Sequence, residues 1–83
     1  MRTERRESER IFTDEIIAIS DGNETIFTRC KLTDVSDQGA KLKSSAIYLL
    51  PDKFTLIRAG ARKRYCEVLW REDGFLGVRF VAQ

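Results

Sequence analysis

With 83 residues, 34% of them charged and 42% hydrophobic, the chain has room for one domain around one small core and excludes a second. Its 15 Lys and Arg stand against 13 Asp and Glu, a net charge of +2 with the two signs interspersed, which argues against a protein held to DNA or RNA mainly by phosphate neutralisation. No stretch approaches the length of a membrane helix, and the charged start from Met1 to Glu7 is not followed by the apolar run of a secretory signal, so a water-soluble, cytoplasmic protein is expected.

Residues 1–10 are dense in charge and poor in large apolar side chains, the composition of a flexible arm preceding a folded unit over 11–83. Alternation predicts a first strand over 11–19, and Ser20-Asp21-Gly22-Asn23 is a hairpin signal by its Asp-Gly pair. A second strand is expected over 25–33, with Ile26, Cys30 and Leu32 on one face and Arg29 and Lys31 on the other. After the break at 34–39 a short third strand takes 40–43, and the apolar run 44–50 reads as a helical turn or an irregular lid ended by Pro51. A fourth strand over 54–58 turns at Ala59-Gly60 into a long fifth over 62–71, where Cys66, Val68 and Trp70 alternate with Glu67, Leu69 and Arg71. Asp73-Gly74 is a second hairpin signal, and 75–81 closes as a sixth strand. Six short strands at near-regular spacing predict an all-β, six-stranded antiparallel barrel, because closure removes the exposed edges that a small open sheet would leave.

The chemistry of the chain points away from catalysis. There is no histidine to serve as a general base, the acids fall mostly at turns, Ser36 has no base to activate it, and there is no glycine-rich phosphate loop. Cys30 and Cys66 sit in strand-like apolar patterns and read as reduced core thiols, with no metal site or cofactor expected.

Three features remain. Arg5, Arg6 and Arg10 lie in the arm, and guanidinium forks match both phosphate oxygens and the O6 and N7 edge of guanine. Composition alone makes that run a solvated tail. The break Asp34-Val35-Ser36-Asp37-Gln38-Gly39 puts Asp34 and Ser36 at alternate positions where both can face one ligand, while Gly39 permits positive φ or close approach. Its residues are equally those of an ordinary turn. Arg58, Arg62, Lys63 and Arg64 surround Ala59-Gly60-Ala61 as a solvated hairpin tip, and Trp70, Phe75 and Phe80 read as core.

Taken together, R-x-x-x-R at Arg6 to Arg10 and D-x-S-x-x-G at Asp34, Ser36 and Gly39, on a six-stranded all-β pattern, resemble the PilZ domain family. Cys66-Glu67-Val68-Leu69-Trp70-Arg71 and Gly77-Val78-Arg79-Phe80 are similar to the closing strands of small bacterial members. The resemblance implies a split-type barrel that receives cyclic di-GMP, with Arg6 and Arg10, and Arg5 as an accessory, on phosphates and guanine edges. It implies that Asp34, Ser36 and Gly39 line the surface where a guanine packs. An arm that folds over bound ligand would pass occupancy to a downstream protein, with motility as the output by family analogy. Glu7 and Glu9 lower the positive potential of the arm and motivate the alternative of a protein adaptor that binds no nucleotide. A small RNA-binding barrel, resting on the Arg58 to Arg64 cluster, is the third reading, against which the near-neutral charge stands. No DNA, RNA or membrane partner is expected, and the protein is expected as a monomer or weak dimer.

Overall fold

The computed structural model describes residues 10–20 and 26–82. The arm residues Arg5 and Arg6, with Glu7 and Glu9, and the Asp21-Gly22 turn lie outside the described residues. Six strands follow one another as β1 (Ile11–Ser20), β2 (Ile26–Val35), β3 (Gly39–Lys43), β4 (Lys53–Ile57), β5 (Arg64–Glu72) and β6 (Phe75–Val81). They close a barrel in the order β1-β2-β3-β6-β5-β4, every pair antiparallel. The expected fold class is therefore the observed one.

The turns follow from their residues. Asp73 and Gly74 take positive φ of 56° and 83°, the backbone that joins two strands without splaying them, and Asp is one of the few side chains to tolerate it. Gly60, at φ 74°, turns the chain between β4 and β5. Between β3 and β4 the run expected as a helical turn or an irregular lid holds a short 3-10 helix, Ile47–Leu49. Ile47 and Leu50 turn inward and join the core, while Tyr48 and Leu49 stay exposed.

The core is the barrel interior. Ile17 and Ile19 from β1, Cys30 and Leu32 from β2, Leu42 from β3, Phe54 and Leu56 from β4, Cys66 from β5, and Leu76 and Val78 from β6 are all buried there. Both cysteines are free thiols, as their apolar settings predict. Burial pushes both thiols up in pKa, Cys66 from 9.0 to about 12, because desolvation disfavours the thiolate.

Strict alternation holds only between irregularities, and three of them matter. Leu32 faces Leu42, but Asp34 faces Lys41, so β2 carries one residue more than β3 at this point. Val68 faces Val78, but Trp70 faces Gly77, so β5 carries an extra residue at Leu69. Phe12 faces Asp34 and Glu15 faces Leu32, so β1 is bulged as well. Each inserted residue flips the side of the barrel to which the following side chains point. Asp34 and Trp70, which simple alternation from Leu32 and Val68 would send into the core, emerge on the outer face.

Candidate functional site

The bulges create one continuous outer row. Phe12 lies opposite Asp34, Asp34 opposite Lys41, Lys41 opposite Gly77, and Gly77 opposite Trp70, so five neighbouring strands contribute one position each. A parallel row two residues further along joins Gly39, Arg79 and Glu67. Between these rows is a shallow depression of about 230 Å³ whose lining includes Arg10, Asp34, Ser36, Gly39, Lys41, Trp70, Gly77 and Arg79.

Arg10 enters this depression through register. Ile11 faces Val35, so the residue before Ile11 leaves the sheet beside the end of β2, and the Arg10 Nη2 sits 3.3 Å from Asp34 Oδ1. The Asp34 side chain is buried, 8% exposed, whereas the Arg10 side chain is 63% exposed and keeps donors beyond this contact among the described residues. The R-x-x-x-R arginine and the aspartate of the turn motif, 24 positions apart in the chain, are thus in direct contact.

Ser36 has a local task. Its Oγ accepts from the Gln38 N–H at 3.1 Å and the Gly39 N–H at 3.3 Å, and its own N–H donates to the Gly39 carbonyl at 2.9 Å. This is the ordinary turn chemistry of serine, and it leaves the hydroxyl on the rim of the depression. Gly39 is needed for a different reason from positive φ, which it does not adopt. A Cβ there would collide with the Val78 carbonyl, so glycine lets β3 approach β6 closely.

The sequence pattern missed Trp70 as a surface residue. The indole is 43% exposed and covers Gly77, where a Cβ would overlap its Cε2 and Nε1. The correction from core to surface follows from the β5 bulge, and the one available signal was Gly77, a glycine without a turn around it. Phe75 and Phe80 are half-buried, nearer to the expectation. Phe75 carries the Lys41 ammonium 4.7 Å from its ring centroid. Arg79 is held against Glu67, Nε to Oε1 at 2.8 Å and Nη2 to Oε1 at 2.6 Å, and this hydrogen-bonded charge pair pulls the Glu67 carboxyl below its ordinary range.

Arg10, Lys41 and Arg79 beside an indole and a buried carboxylate suit a ligand with anionic groups and a flat, hydrogen-bonding ring. Among the described residues no group of three or more Cys, Asp or Glu could hold a metal ion, and no helix is long and apolar enough to cross a membrane.

The PilZ domain model matches residues 4–83 of this chain. In fold the chain is similar to the crystal structure of a Legionella uncharacterized protein, with TM-score 0.64 and 18% identity, covering 90% of this chain and 78% of that one. No curated protein matches.

Proposed function

Because the chain belongs to the PilZ domain family, whose members are binding and adaptor domains and not catalysts, we propose that it is a cytoplasmic receptor for cyclic di-GMP that passes ligand occupancy to a protein partner. The observation that carries the reading is the Arg10–Asp34 contact on the outer row that ends at Trp70. A guanine needs an acceptor for its N–H edge, a forked donor for O6 and N7, and a flat surface to stack on; Asp34, Arg10 and Trp70 are those three groups. Arg5 and Arg6 would supply further forks for the phosphates, with Ser36 and Gly39 shaping the turn beneath the base. The reading needs no cofactor besides the ligand.

Isothermal calorimetry with cyclic di-GMP at low salt tests it. Saturable heat is expected, and Arg10→Ala and Asp34→Ala should each weaken binding by about tenfold or more while the NMR spectrum stays dispersed. A folded sample that releases no heat at high micromolar ligand would refute the reading. The adaptor alternative draws on Tyr48 and Leu49, which are 71% and 84% exposed beside each other and form an apolar surface for a protein. Under that alternative Arg10→Ala keeps partner binding and cellular output.

A further inference from the structure

The inner counterpart of the outer row opens at the barrel mouth. Ile11, Val35, Ala40, Val78 and Val68 face one another across the same five strands, and at the mouth this inward surface meets Leu56 and Phe80. β4 pairs with β1 only at Ala18, Ile19 and Ser20, so the first half of β1 diverges from its neighbour. The gap is a cleft of about 610 Å³, within the range of small-molecule sites. Its lining combines apolar Ile11, Val35, Leu56 and Phe80 with Arg58, Arg62 and Arg64, and Asp37 brings the one carboxylate that the described residues contribute to it.

The three arginines are not equivalent. Arg58 is committed to Glu15, with Nε 3.2 and 3.1 Å from the two carboxylate oxygens and Nη2 3.1 Å from one of them. Arg64 is pre-positioned, its guanidinium 4.1 Å from the Phe80 ring centroid and donating to the Asp37 carbonyl at 3.2 Å, with donors left over. Arg62 is exposed and has no ion-pair partner among the described residues. An open apolar mouth lined by two guanidiniums that the described residues leave unpaired or half-satisfied has the chemistry of a receptor for a molecule with a hydrophobic body and one anionic end.

We propose that the barrel mouth is a second ligand site, separate from the outer depression, that takes a small amphipathic carboxylate: apolar body on Ile11, Val35, Leu56 and Phe80, carboxylate on Arg62 and Arg64. The two sites adjoin at Ser36, which lines both. Occupancy of the mouth requires no nucleotide on the outer row.

The test is an NMR amide-shift titration of the full chain with decanoate, run beside decanol, which has the chain without the charge, and acetate, which has the charge without the chain. Decanoate is expected to give saturable shifts at Ile11, Val35 and Phe80, at least about tenfold tighter than either control. Arg62→Glu, at an exposed position that leaves the spectrum dispersed, should weaken decanoate about tenfold, and Asp37→Asn should tighten it. Equal binding of decanol, equal binding of acetate, shifts confined to Tyr48 and Leu49, or no saturation would each overturn the proposal. Nucleotide shifts on the outer row are read separately and decide nothing about the mouth.

Discussion

The Trp70 indole occupies the place where Gly77, its cross-strand neighbour on β6, would carry a side chain. One side chain is a flat ring and the other is a single hydrogen, so the outer wall of the barrel has a ring lying on bare backbone. A base that packs on this ring gains about 1–3 kcal/mol of stacking.

Gly77→Ala tests that arrangement. The added methyl overlaps the indole, which is free to swing outward because it already meets solvent, so the barrel survives with a modest loss of thermal stability. Emission of the lone tryptophan should shift to the red, and cyclic di-GMP affinity should fall by about tenfold. An unchanged spectrum and unchanged affinity would show that Trp70 can move without consequence.

The Arg10–Asp34 pair should respond unequally to its two deletions. Asp34→Ala leaves behind an arginine that is already mostly in water, and its cost should stay below about 1 kcal/mol. Arg10→Ala takes away the ion-pair partner that the described residues give a carboxylate of 8% side-chain exposure, at a cost of about 1–3 kcal/mol. Urea denaturation of the two variants checks the order, and equal midpoints would mean that Asp34 finds another partner.

These two relationships mark how far the sequence alone reaches. The barrel was legible because the Asp73-Gly74 turn and the alternating apolar residues mark where strands end and which face is greasy. Asp34 and Arg10 were legible as motif residues, although nothing in the chain says that they touch; that depends on β1 and β2 register. Trp70 was misassigned because alternation counted from Cys66 and Val68 carries it inward, and no local signal marks Leu69 as an insertion. Lys41 and Arg79 went unnoticed for a different reason: they come together with Asp34 and Trp70 only because β6 lies between β3 and β5.

Arg71 should prove the costliest single charge to remove. Its Nη1 donates to the carbonyls of Ile47 at 2.6 Å and Leu50 at 2.7 Å, and its Nη2 to Asp52 Oδ1 at 2.9 Å, which ties the 3-10 turn to the barrel. Arg71→Met keeps the apolar stem but strips charged donors from two carbonyls, a loss of about 2–4 kcal/mol. Arg71→Lys should recover only part of it, since one ammonium cannot reproduce the fork. Denaturant midpoints measure both, and faster amide exchange at Leu49, whose N–H donates to the Ala46 carbonyl, locates the effect.

The buried thiols set an alkaline limit. Cys66 ionises at 9.0 when unfolded and at about 12 when folded, so above pH 9 the unfolded chain releases a proton that the folded chain retains. Its contribution is complete below pH 9 and drains away as pH rises toward about 12. Replacing Cys66 with Val should flatten the stability curve across that window, and alkylation of the wild-type thiol should proceed no faster than unfolding. Prompt alkylation in the native state would contradict its burial.

The bulges also decide where this chain can change length. A residue removed from a regular stretch of strand would turn every following side chain to the opposite side of the wall, greasy ones to water and charged ones to the core. Leu69 is surplus to the pairing around it, since Val68 and Trp70 already meet adjacent partners on β6, whereas Thr33, though surplus against β3, lies opposite a stretch of β1 that is itself one residue longer. Leu69 is where the barrel can be shortened by one residue without turning itself inside out.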